Sequence, residues 1–134
     1  MIELSRAEID ELLHERLVGR IGCHADGETY VVPVIYAYDG AAVYVASVEG
    51  RKIRMMRQSP DVCFETDEHG ETGWRSVIAQ AHYEELAGAD AARALELLAG
   101  RFPGSGRRRA DAGGRDTVCF RLVLGETTGR AVRR

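Results

Sequence analysis

The chain has 134 residues, 45% of them hydrophobic and 29% charged, with a formal net charge of −3. These values fit one globular domain with a single core. They exclude a general nucleic-acid binder, which carries a strong basic excess. No apolar run reaches the length of a membrane-spanning helix, and Met1-Ile2-Glu3-Leu4-Ser5 lacks the basic and then apolar pattern of a secretory signal.

In chain order, Ser5 is an N-cap with Glu8 three residues later, a capping-box pattern. The helix it opens places Ile9, Leu12 and Leu13 on one face. From Leu17 the period changes, and Val18 to Cys23 reads as a strand followed by an Asp26-Gly27 hairpin turn. Tyr30 to Tyr38 is a second strand, Asp39-Gly40 a second turn, and Ala42 to Ser47 a third strand, together an antiparallel meander. Pro33 cannot donate a ladder hydrogen bond, so it marks an edge or a bulge where the backbone of Val34, Ile35 and Tyr36 can face something else.

Gly50 then opens a short helix, Arg51 to Ser59, that Pro60 ends. Val62 to Thr66 reads as a fourth strand, Asp67 to Thr72 as a polar loop, and Trp74 to Leu86 as a long fifth strand. An Ala/Leu-rich helix over Ala89 to Leu98 is stopped by Gly100, Phe102 to Arg115 reads as a Gly/Arg-rich loop, and Thr117 to Leu124 is a last strand before a polar tail. The expected fold is mainly β: a six-stranded antiparallel barrel with flanking helices, in one domain spanning the whole chain. Such a small barrel is filled by its own side chains, so a sizeable ligand would bind outside it or at an interface with a second copy.

The chemical signals concentrate at Gly50-Arg51-Lys52. A helix start aims unpaired N–H groups outward, and two cations at this already positive end invite an anion, commonly a phosphate. A solvated basic turn is the other reading of the same residues. Trp74-Arg75-Ser76 sets the only tryptophan beside a cation and a hydroxyl, a combination that suits a flat anionic ligand; a Trp closing the barrel end reads equally well. The four histidines show no metal-ligand spacing, and His82 alone is kept in reserve as a strand residue. Gly104-Ser105-Gly106-Arg107 lacks the Lys-Ser/Thr of a phosphate-binding loop, and no nucleophile elbow is present. Cys23, Cys63 and Cys119 read as buried reduced thiols, which implies a cytoplasmic location.

The order Val18-Gly19-Arg20-Ile21-Gly22, Tyr30-Val31-Val32-Pro33-Val34-Ile35-Tyr36, Glu49-Gly50-Arg51-Lys52, Val62-Cys63-Phe64-Glu65, Trp74-Arg75-Ser76-Val77 and Thr127-Thr128-Gly129-Arg130 resembles the pyridoxamine 5′-phosphate oxidase-like superfamily. Within it, the likeness is greatest to the nitroimidazole-resistance (Nim-like) flavoproteins. The resemblance covers roughly residues 5 to 130 and implies a split β-barrel homodimer holding FMN at the subunit interface. It implies that Arg51 and Lys52 bind the FMN phosphate, that Pro33, Val34, Ile35 and Tyr36 line the isoalloxazine ring through backbone groups, and that Val45, Ala46 and Ser47 lie along the ring and ribityl chain. Trp74, Arg75 and Ser76 would approach the flavin, from the other subunit in one arrangement. The implied activity is that of an FMN-dependent oxidoreductase passing hydride to or from a small organic substrate. Nim-like proteins often carry a histidine on the third strand where this chain has Ala46, and the fuller substrate-binding set of true pyridoxamine phosphate oxidases is absent. A non-catalytic FMN-binding module and a split barrel using the deazaflavin F420 or haem are the alternatives.

Overall fold

A computed structural model describes residues 1–101 and 116–133. The described elements run β1 (Ile2–Glu3), α1 (Arg6–Glu15), β2 (Val18–Ala25), β3 (Glu28–Ile35), β4 (Ala37–Tyr38), β5 (Ala42–Val48), α2 (Arg51–Gln58), β6 (Asp61–Gly70), β7 (Gly73–Glu85), α3 (Gly88–Arg101) and β8 (Thr117–Arg133). The strands form one antiparallel sheet in the order β3-β2-β6-β7-β8-β5-β4, with β1 added to β8. β3 and β4, at opposite ends of that order, are joined through the single residue Tyr36. The sheet therefore curls into a barrel whose two ends meet through the chain instead of through a ladder, which is the split-barrel arrangement.

The capping box forms as read: the Glu8 N–H donates to Ser5 Oγ, and the Ser5 N–H donates to Glu8 Oε1. It starts α1 so that Ile9, Leu12 and Leu13 enter the core. Inside the barrel, Ile21, Phe64, Val77, Phe120 and Leu122 are fully buried. The Tyr36 hydroxyl crosses the core to donate to the Leu13 carbonyl. Its ring meets Phe64 edge-on, with centroids 5.0 Å apart. Close packing of this kind leaves no room for a bound ligand inside.

Three sequence readings are corrected. The second strand is broken at Tyr36, so β3 pairs with β2 alone while β4 pairs with β5, and no three-stranded meander forms. The break follows from the core's demand for Tyr36, whose burial redirects the backbone across the barrel seam. The polar stretch Asp67 to Thr72 is mostly strand, because β6 runs to Gly70 and lays Asp67, Glu68 and His69 against Ser76, Arg75 and Trp74 of β7. The polar tail is strand as well: β8 continues to Arg133 to complete the ladder of the 13-residue β7. With β1 and β4 the described residues hold eight strands rather than six. The expected loop over Phe102 to Arg115 lies outside the described residues.

Candidate functional site

Alternation along each strand sorts the expected site residues into an inner and an outer set. On β3, Val34 points into the core and is buried, whereas Pro33 and Ile35 are exposed. Cross-strand register extends their row. Pro33 stands opposite Arg20, Arg20 opposite Glu65, Glu65 opposite Ile78, and Ile78 opposite Thr128. One row away lie Ser76 and Arg130, register partners that line a cavity of about 250 Å3 with Ile78 and Thr128. Val18, Val31, Ile35 and Ile78 on this face are 42–63% exposed. Arg20 Nη1 is 2.8 Å from Glu65 and 3.1 Å from Asp67 in the middle of the sheet.

The helix corner is the second component. Gly50 caps α2 in an extended conformation with no side-chain cap, so the first-turn N–H groups have no side-chain acceptor at the cap. Arg51 reaches back to the β2–β3 hairpin, where it pairs with Glu28 and its guanidinium lies 4.5 Å from the centre of the Tyr30 ring. Lys52 behaves differently. It is half-buried, and burial alone pushes its ammonium below the usual lysine range. No described residue forms a hydrogen bond or ion pair with it. Lys52 is also the one lysine among 18 basic residues.

The remaining residues are placed less uniformly. Val45 is buried inside the barrel. Ala46, opposite Cys119, packs with the cluster that Ala42, Tyr44 and Ala94 form beneath α3. Ser47 donates to the Val48 carbonyl at 3.1 Å. Trp74 stands opposite His69 and Val132 at the far end of the sheet. Arg75 turns the other way, toward α1, and is held by Glu68 at 2.5 Å, Glu15 at 3.3 Å and Glu11 at 3.8 Å. These acids raise its already high pKa against the opposing pull of burial. The structure thus gathers Pro33, Ile35 and Ser76 on one outer face, sets Lys52 and Arg51 at a corner, and commits Arg75 to internal ion pairs. Arg130 and Thr128 were not singled out for this face. Their alternation with buried Gly129 and Ala131 is the signal that would have found them.

His82 bonds Asp61 through Nδ1 at 2.9 Å on an exposed part of β7. Among the described residues no group of three His, Cys, Asp or Glu side chains could hold a metal, and none of the three cysteines is in a disulfide. No described helix is long and apolar enough to cross a membrane.

A split β-barrel with an uncovered outer sheet and a cationic helix start beside it defines the class. The chain belongs to the pyridoxamine 5′-phosphate oxidase family, whose model matches residues 5–131. The crystal structure of a FAD-binding protein from Mesorhizobium loti is 34% identical, with a TM-score of 0.81 over 99% of this chain and 97% of that one. A Bacteroides thetaiotaomicron structure named for 5-nitroimidazole antibiotic resistance shares the fold, with a TM-score of 0.82 at 18% identity over 97% of this chain and 86% of that one. So does the haem storage protein HutZ of Vibrio cholerae, at 0.77 and 16% over 96% and 93%. An uncharacterised protein of Rhizobium meliloti (strain 1021) is 33% identical over 84 residues, which are 62% of this chain and 56% of that protein's length.

Proposed function

We propose that this protein binds a flavin, FMN in the first instance, at the interface of a homodimer, and transfers hydride or electrons between a reductant and a small organic substrate. The observation that carries the reading is Lys52, a half-buried cation at the start of a helix with no partner among the described residues. Withdrawing an ammonium from water without an anion beside it is costly, and a phosphate at that position would remove the cost. Arg51 would join it by leaving Glu28, an exposed ion pair of small worth. The 34% identity to a FAD-binding protein along nearly the whole chain supports a flavin as the owner of that phosphate.

The outer sheet face offers a flavin ring the open edge of β3 at Pro33 and Ile35, and a second copy would cover the exposed Val18, Val31, Ile35 and Ile78. Trp74 and Ser76 of that copy are the residues we assign to the flavin's far side. A bound flavin would supply the hydride or electron chemistry. The chain's own part is to hold the phosphate, orient the ring and exclude water. Reduced, uncrosslinked cysteines suit a cytoplasmic site of action.

One observation favours a second reading, binding without turnover. Ala46 packs beneath α3 and brings no proton-transfer group to the position where Nim-like relatives often place a histidine. The test for both begins with the visible spectrum of the purified protein, alone and after incubation with FMN, FAD, F420 or haem. Flavin uptake by a species of twice the chain mass is expected. A protein that takes up none of the four, or a monomer that binds flavin tightly, would overturn the site. Reduction of the bound flavin by a nicotinamide donor, followed by reoxidation with an organic acceptor, would separate turnover from storage.

A further inference from the structure

At the end of the sheet farthest along the β6–β7 hairpin, a cavity of about 310 Å3 is lined by Trp74, His69, Val132, Arg75, Glu68 and Arg133, with the hairpin glycines closing it. It shares no lining residue with the cavity of about 320 Å3 beside Arg51, nor with the one that holds Ser76. The cavity exists because β7 begins in contact with the end of β8. Gly73 has φ +131, and a Cβ there would lie 1.9 Å from the Val132 carbonyl oxygen, so only glycine permits the approach. That approach sets Trp74 in register with both His69 and Val132.

The charges lining the cavity are unequal in what they leave available. Arg75 is occupied by Glu68 and Glu15. Arg133, at the end of β8, has no carboxylate within ion-pair distance among the described residues. Beside the Glu68–Arg75 pair and His69, the cavity therefore presents one indole, one aliphatic wall and one cation, Arg133, that is in no ion pair among the described residues and feels Glu8 only through its field. Its volume is at the lower end of small-molecule sites, enough for a single ring with one substituent. An indole favours a flat π-system, and an uncommitted guanidinium favours a carboxylate it can meet through two parallel N–H groups. We infer that the cavity bounded by Trp74, Val132 and Arg133 is a binding site for small aromatic monocarboxylates. Binding there requires neither Lys52 nor a bound flavin, although Trp74 is also one of the residues assigned above to the flavin's far side.

The single tryptophan makes the test direct, because the protein has one indole N–H signal in a proton–nitrogen correlation spectrum. Flavin-free protein is titrated with benzoate and, in parallel, with uncharged benzyl alcohol. A saturable shift of the Trp74 signal with benzoate is expected, with binding about tenfold or more weaker for benzyl alcohol and for benzoate to Arg133→Gln. Arg133 is exposed, and matching melting curves would show that its variant is folded. Calorimetry on Trp74→Phe should also show weakened benzoate binding. The inference fails if benzoate gives no saturable shift up to about 10 mM, or if either variant or the alcohol binds as well as the native pair. Lys52→Ala separates this site from the flavin site: it should lose FMN and keep benzoate, and losing both would assign the benzoate shift to the flavin corner.

Discussion

Lys52 and Arg75 are both cations drawn partly out of water, and their surroundings are opposite. Arg75 sits 24% exposed among Glu68, Glu15 and Glu11, acids drawn from β6 and α1. Lys52 has burial without an acid among the described residues, and burial pushes its ammonium below the usual lysine range. The fold has finished one charge and left the other open. A cation satisfied within its own chain ties elements together, here α1 to the β6–β7 hairpin. A cation the chain leaves unsatisfied is held in readiness for something brought from outside. Under the proposed function the difference would separate a structural arginine from a binding lysine, although both stood in the sequence as candidates for the same ligand.

The most severe way to break this contrast is Lys52→Ala. Flavin affinity should fall by about 1.5–3 kcal/mol, roughly 10- to 150-fold, as a charge-assisted partner of the phosphate is lost. The melting temperature of the flavin-free variant should stay level or rise, since an uncompensated cation has been removed. Fluorescence titration with FMN measures the first effect and calorimetry the second. Unchanged affinity would return Lys52 to the status of a solvated turn residue.

The same lysine gives the contrast a pH dependence. Its folded-state pKa lies below the unfolded value of about 10.4, so the ammonium costs stability at neutral pH and the cost disappears as pH rises. A bound phosphate favours the charged form. Flavin affinity should therefore be steady near neutrality and fall as pH rises through the pKa of Lys52. Lys52→Arg, which stays charged, serves as the control and should lack that fall. A decline of equal size in both proteins would place the titrating group elsewhere.

Arg75→Ala should act on stability. It removes the cation shared by Glu68, Glu15 and Glu11 and leaves the 30%-exposed Glu68 with only the longer pairing to Arg16 at 3.5 Å, and we expect a loss of about 1–2 kcal/mol. Urea denaturation would show it. The deficit should shrink as pH falls and the stranded acids protonate. If Arg75→Ala instead leaves stability intact and weakens FMN binding, the two cations have been assigned in reverse.

How much of this was legible before the structure divides along the range of each interaction. The Ser5–Glu8 box and the Asp26-Gly27 and Asp39-Gly40 turns depend on residues within three positions of one another, and all formed where the sequence placed them. The break at Tyr36 was hidden because Val34 to Tyr38 carries no turn or breaker residue and the one irregularity the sequence offered, Pro33, lies three residues earlier; the demand of the core for the Tyr36 ring divides the strand. Asp67, Glu68 and His69 looked like a loop by polarity. Their partners on β7 and the cations Arg20 and Arg16 make a polar strand stable. At the site, the helix start was readable from Gly50-Arg51-Lys52 alone. That Glu28 and Tyr30 would take up Arg51, while no described residue took up Lys52, depended on residues more than 20 positions away. The acids around Arg75 include one 60 positions upstream, beyond the reach of any local pattern.

Asp39 extends the contrast to an anion that its own turn satisfies, with a smaller effect. Its carboxylate accepts from the Ala41 and Ala42 N–H groups at 2.9 and 2.8 Å and from the Tyr44 hydroxyl at 3.0 Å, fixing the β4–β5 turn. Burial pushes its pKa up, but these hydrogen bonds and Arg93 outweigh burial and hold it below the usual aspartate range. A carboxylate with a depressed folded-state pKa contributes stability above its unfolded value of about 3.9 and loses it as pH falls through the folded one. Asp39→Asn keeps an acceptor for the backbone donors, gives up the charge and presents an amide donor to Tyr44. The expected cost is about 1 kcal/mol at neutral pH. Measured by thermal unfolding across pH, the gap between the two proteins should close on the acid side of about pH 4. A gap of constant size down to pH 2 would mean that the turn depends on the shape of the side chain and not on its charge.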